Sequence, residues 1–236
     1  MSSCLVHVLC LLVRVSCYIE TLSKFTQLML IICCALGFDE DKVIKAPLMA
    51  REATLSSEQL KNSLGIDCSK KILLLGFGGH STDWNLCDHS LPEGWISIVL
   101  GANASDMPSN RFISVDRDCY VPNLIFAADA VLGKLGFGFV SECVVNNTPL
   151  IYVPRSSWPE ELYLKNYILG CSPYNGLEMP VTDFVSGNWS KYIEEAYEYK
   201  QQLKSTVSTV GTTGASDVLP VVDPLNVIGN ILLSVS

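Results

Sequence analysis

The sequence predicts an α/β fold, a doubly wound parallel sheet, and three observations predict it. Apolar runs such as "KILLLG", "WISIVLG" and "PLIYVP" are continuous rather than alternating, as strands covered on both faces require. Between most of these runs lie stretches long enough and patterned for helices. Glycines cluster directly after two of the strands, where βα loops of such a sheet converge. With 236 residues the chain can bury the core of one such domain with sequence left over, whereas two complete domains would be cramped.

Residues 1–44 are the hardest part to read. "CLVHVLCLLVRVSCY" is apolar enough for a signal h-region, but no Lys or Arg precedes it and Arg14 interrupts it. "FTQLMLIICCALGF" is shorter than the roughly 20 apolar residues a spanning helix needs, so a buried strand or helix is expected and no integral membrane span. "DEDKVIKAPLMARE" reads as a charged, Pro-bearing linker. Ser56 or Ser57 then caps a short helix through Leu64, which Gly65 stops. Strands follow at "KILLLGFGG", "WISIVLGA" and "RFISV", then a helix around "PNLIFAA" and a strand at "AVLG". A helix from about Gly138 to Asn146, a strand at "PLIYVP", and helices from about Pro159 to Leu169 and at "NWSKYIEEAYEYKQQLK" complete the body. The domain is expected over residues 45–204, and residues 205–236 as a polar tail with a short apolar end.

Composition excludes several functions. The 24 acidic and 16 basic residues leave a net charge of −8, and no basic stripe interleaves with aromatics, so no nucleic acid partner is expected. The ten cysteines contain no Cys-x-x-Cys and most sit in apolar runs, where cysteine acts as a small hydrophobe. With only His7, His80 and His89 besides, no metal and no cofactor is expected. Three Asn-x-Ser/Thr triplets, at Asn103, Asn146 and Asn188, do not settle the compartment.

Two segments carry the chemistry. "GFGGH", Gly76 to His80, follows one strand, and Gly133, Gly136 and Gly138 in "VLGKLGFGFVSE" follow another. Glycines there let the backbone approach a ligand, and the unpaired N–H groups of a helix N-terminus face it, so an anion fits. The helix end contributes about 0.3–1 kcal/mol to an exposed anion, against about 8 kcal/mol for micromolar binding, so other contacts must supply most of the affinity. Glu142, one turn into that helix, is placed to accept hydrogen bonds from two ribose hydroxyls. The alternative is that the glycines only make tight turns and close helix–strand packing. A P-loop fails because Gly133–Lys134 is followed by Leu135, and the dinucleotide fingerprint fails because Ser81 stands at its third glycine.

The order "DAVLGKLGFGFVSECVVNNTPLIYVPR" and "PEELYLKN" resembles the Gly-x-Gly-Thr-x-x-Glu, Gly-x-Pro, Pro, Asp/Gln, Asn progression in the C-terminal, nucleotide-sugar-binding half of GT-B glycosyltransferases. A narrower likeness runs through "GFGGH", "LPEGW", "YVPNLIFAADAVLGKLGFGFVSE", "PEE…LKN" and "SGNWSKYIEEA". These resemble the glycosyltransferase-like region that precedes the kinase domain in plant-type L-arabinokinases, over residues 45 to about 200.

The resemblance implies a Rossmann-like half that binds a UDP-sugar. Gly136, Phe137 and Gly138 would face the donor diphosphate, Glu142 the ribose, and Tyr120 and Val121 the base through their backbone. Glu160, Glu161 and Asn166 fall where the family holds the donor sugar, and Gly78 and Gly79 would line the cleft. Three departures stand out: Phe139 replaces the family's threonine, Glu161 and Asn166 are spaced more widely, and carboxylates beside a diphosphate add repulsion. Residues 1–44 are expected to be the remnant of a preceding Rossmann-like half, too short for a full acceptor domain, which suggests a truncated chain and a cytoplasmic setting. Transfer would need that second half, from a partner chain, and a general base, for which His80 or His89 are the candidates near the cleft. No kinase phosphate loop lies downstream. A non-catalytic regulatory or interaction module is the alternative reading, and an NAD-type oxidoreductase a third.

Overall fold

The computed structural model describes residues 29–32, 43–46, 50–77, 86–155, 161–170 and 176–209. The chain divides into two compact units, Met1–Pro47 and Leu48–Ser236. In the first, β1 (Met29–Ile32) pairs in parallel with β2 (Val43–Ala46), Met29 opposite Val43 and Ile32 opposite Ala46. β1 falls within the apolar run expected to be a buried strand or helix. β2 corrects the linker reading: "VIKA" is strand despite the charges around it.

The second unit opens with α1 (Ser57–Ser63), which Ser56 starts through a full capping box with Gln59 and Gly65, at φ +67°, ends. The sheet is six-stranded and parallel throughout: β3 (Lys71–Gly76), β4 (Trp95–Leu100), β5 (Phe112–Val115), β6 (Ala130–Gly133), β7 (Leu150–Tyr152) and β8 (Leu177–Glu178). Their spatial order is β5-β4-β3-β6-β7-β8. The chain therefore works outward from β3 to β5 and returns to the centre at β6, so the topological switch lies between β3 and β6. Helices α2 (Val121–Ala127), α3 (Phe137–Val145), α4 (Glu161–Gly170), α5 (Val181–Val185) and α6 (Ser190–Thr209) follow β5, β6, β7 and, for the last two, β8.

Side-chain alternation along β3 shows why the strand has no polar face. Leu73 and Leu75 join Trp95, Val99, Leu132, Ile151 and, from α6, Ile193 and Ala196 in one buried cluster. Ile72 and Leu74, equally buried, point to the opposite face. Burying each such side chain contributes about 1.5–3 kcal/mol, so the unbroken apolar run stabilises both layers at once. Trp189 closes the α6 layer: it stacks on Phe184 at 5.5 Å and its indole N–H donates to Phe184 O at 2.9 Å. β8 and α5 escaped the sequence reading because "LE" and "VTDFV" are too short to show a period.

Candidate functional site

The C-terminal end of β3 carries Gly76, that of β5 leads to Tyr120 and Val121, and that of β6 leads to Gly136 and Glu142. Gly76 and Gly133 stand opposite each other in register at the switch point. Neither has a positive φ, yet a side chain on Gly76 would have to displace the Phe139 ring and one on Gly133 would meet backbone. A methyl on Gly76 would stand 2.6 Å from Phe139 Cζ, and one on Gly133 would meet the carbonyl oxygen of Gly76 and come within 3.0 Å of Phe139 Cε1. These two glycines serve packing: the Phe139 ring takes the space above the pair, where the family pattern has a threonine.

Gly136 and Gly138 differ. Gly136 caps α3 with φ −137° and ψ 143°, an extended conformation open to any residue, and a Cβ built on Gly136 or Gly138 would meet nothing within 4 Å. Neither the backbone nor any described neighbour demands glycine at these positions. Val140 N–H donates to Gly136 O at 2.9 Å, which begins the helix and leaves the N–H groups of its first turn without intrahelical partners. No side chain caps them and no acidic residue lies in that turn.

Glu142, one turn further on, is only 3% exposed. Its Oε1 accepts from Arg51 Nε at 2.7 Å. Burial raises the Glu142 carboxyl above its ordinary value, and the hydrogen bond and charge of Arg51 offset part of the rise. Arg51 belongs to a short segment ahead of α1 that is laced onto the rim. Its guanidinium lies 5.4 Å from the centroid of the Tyr120 ring, and Tyr120 Oη donates to Glu52 O at 2.9 Å. Asn123 Oδ1 accepts from the N–H of Thr54 at 2.7 Å and of Leu55 at 3.1 Å. Tyr120 itself is exposed at the turn into α2, and Val121, the first residue of that helix, is half-buried.

The sugar-side candidates separate. Glu161 is buried and held by Arg155, whose N–H donates to Oε1 at 2.6 Å and whose Nε donates to Oε2 at 2.9 Å. Arg155 Nη2 also reaches Leu135 O at 2.6 Å, so Glu161 braces the glycine loop through an arginine rather than presenting a free carboxylate. Asn166 is exposed on α4. Gly78, Gly79, His80 and Glu160 lie outside the described residues. His89 lies in a short 3-10 helix, Asp88–Ser90, against Gly187. Among the described residues no group of three or more His, Cys, Asp or Glu could hold a metal, and no helix is long and apolar enough to cross a membrane.

Sequence reasoning missed Arg51, Asn123 and Arg155. The "YVPR" ending of a strand flags Arg155, since a cation directly after a parallel strand stands on the ligand-facing rim. Arg51 and Asn123 carry no such local signal.

No protein-family model matches the sequence. The chain is 37% identical to the L-arabinokinase of Arabidopsis thaliana over 161 residues, which is 67% of this chain and 15% of that protein's length. Its structure is similar to that of CalG4, the calicheamicin glycosyltransferase, with a TM-score of 0.58 at 12% identity, covering 97% of this chain and 58% of that one. It is also similar to the glycotransferase of kitacinnamycin, with a TM-score of 0.51 at 12% identity over 82% of this chain and 55% of that one.

Proposed function

We propose that this chain, a glycosyltransferase-like α/β domain of GT-B type related in sequence to a segment of L-arabinokinase, binds a nucleotide-sugar at the rim formed by β3, β5 and β6. A UDP-sugar fits that rim best. The diphosphate would lie on the open N-terminus of α3, where the first-turn amides carry partial positive charge. Glu142 would take the ribose hydroxyls, the backbone at Tyr120 and Val121 the base, and Asn166 with Glu160 the sugar. Glu161, paired with Arg155, acts by holding the loop.

One observation carries this reading: among the described residues, nothing lies within 4 Å of a side chain built at Gly136 or Gly138. Small residues at an open helix N-terminus leave room for an anion to reach the backbone N–H groups. Glycosyl transfer needs in addition an acceptor and a general base presented by a second half, which a partner chain would have to bring. The match spans 15% of the length of L-arabinokinase, so that protein's activity is not carried over to this chain.

Calorimetric titration with UDP and UDP-sugars tests the reading. Saturable binding by the wild type and at least a tenfold loss in Gly136→Val, with an unchanged melting temperature, is the expected result. Absence of heat at millimolar UDP, or equal binding by Gly136→Val, would overturn it.

A further inference from the structure

The carboxylate best placed to read a ribose is already engaged. Glu142 keeps 4% of its side-chain surface, whereas the Arg51 side chain that covers it keeps 54%. Among the described residues, the partner of the carboxylate is thus an exposed guanidinium, whose Nε meets Oε1 at 2.7 Å. Chemically, a guanidinium edge and a vicinal diol offer a carboxylate the same thing, directed N–H or O–H donors. We propose that Arg51 is an internal ligand of this site, holding the place on Glu142 that a ribose cis-diol takes, so that a nucleotide binds by displacing it. The inference rests on the nucleotide-binding reading above.

Three features fit a displaceable contact. Arg51 is more than half exposed, so little packing is lost when it swings away. The cation can stay over the Tyr120 ring, 5.4 Å from its centroid, while its donor leaves Glu142. The backbone beneath it does not depend on the ion pair, because Thr54 and Leu55 remain fixed to Asn123 and Glu52 to Tyr120. A consequence is selectivity. A ligand without the diol has nothing to exchange for the Arg51 donor and leaves the ion pair in place, so the ion pair weakens only ligands that carry the diol.

The test uses the whole chain, titrated with UDP and with 2′,3′-dideoxyuridine diphosphate. Arg51→Ala is expected to bind UDP about tenfold or more tightly than the wild type, and the dideoxy compound within about twofold of it. Arg51→Gln keeps a donor on the same stem and is expected to fold like the wild type while shifting in the same direction. In the wild type, the Arg51 Nε–H signal in a nitrogen-15 spectrum should shift on adding UDP and stay in place with the dideoxy compound. If the wild type binds UDP and both variants bind it equally or more weakly, Arg51 is no competitor and the nucleotide site stands without it. An equal gain for both ligands would show that charge, and not the diol, is exchanged, and would overturn the inference. If neither wild type nor variants bind, the inference falls together with the nucleotide-binding reading.

Discussion

Gly76 and Gly133 face each other across the β3–β6 pair at the switch point, and the single ring of Phe139 lies over both. The four glycines of this rim thus divide into two pairs: the space a side chain would take at Gly76 and Gly133 is filled by the protein, and at Gly136 and Gly138 by none of the described residues. The two pairs should respond to substitution in opposite ways.

Gly133→Ala places a methyl against backbone oxygen that cannot move without breaking the sheet register. A loss of about 1–3 kcal/mol or more is expected in urea unfolding. Gly138→Ala, on an exposed helical position, should instead gain roughly 0.5–1 kcal/mol, since alanine loses less backbone entropy there. Paired with weaker UDP binding, that gain would separate stability from function at one residue. A destabilised Gly138→Ala would contradict the open geometry.

Glu161 and Asn166, both expected at the sugar from sequence, should also diverge. Glu161→Gln leaves Arg155 without its carboxylate partner and loosens the tether to Leu135, at a cost of about 1–3 kcal/mol for a mostly buried charge-assisted bond. Asn166→Ala, on the exposed face of α4, should shift stability by no more than about 0.5 kcal/mol. Its effect is expected only in the preference for UDP-sugar over UDP, measured by calorimetry. A drop in melting temperature for Asn166→Ala would give it a structural role instead.

The pH dependence isolates Glu142. Its folded value is raised, first by burial, so the native state binds its proton more readily than the unfolded chain. The penalty of ionising it is fully present above the folded value and is relieved as pH falls through that value towards the ordinary one. Glu142→Gln removes the penalty at every pH. The stability of the variant relative to the wild type should therefore be greatest at neutral pH and decline on acidification. Asp88, lowered mainly by its hydrogen bond from Ser109, and Glu178, lowered mainly by Lys165, have the opposite sign. Their contributions are present above the ordinary carboxylate value and lost as pH falls below it, but they are common to both proteins and cancel in the difference. A gap that widens in acid would refute the assignment.

Cysteine labelling reports on α3. Cys143 is wholly buried beside Glu142 and burial pushes its thiol well up, whereas Cys68 is exposed. Iodoacetamide followed by peptide mapping should modify Cys68 promptly and Cys143 only on unfolding, at a rate that tracks denaturant. Early modification of Cys143 would mean that α3 opens on its own, and with it the site.

Much of this fold is legible because parallel strands covered on both faces leave an unmistakable run of apolar residues, as in "KILLLG" and "PLIYVP". The end signals of α1 are equally plain, with Ser56 and Gln59 closing the box and Gly65 ending it. What stays hidden is of two kinds. Elements such as β8 and α5 are too short to establish a period. Contacts such as Arg51 to Glu142, 91 residues apart, and Thr54 to Asn123, 69 apart, are made by polar side chains whose partners nothing local announces. Sequence reading thus singles out the glycine loop and Glu142, but it cannot tell which glycines are packed and which are open.

The lacing of residues 51–55 onto Asn123 has a practical side. A fragment trimmed to the first regular element, starting at the Ser56 cap, would keep every strand of the six-stranded sheet and would be expected to fold. Yet it would leave Asn123 Oδ1 without its two amide donors and Glu142 bare. Ligand measurements on such a truncation would describe an altered receptor, and the edge of the working unit must be drawn at least as far back as Arg51.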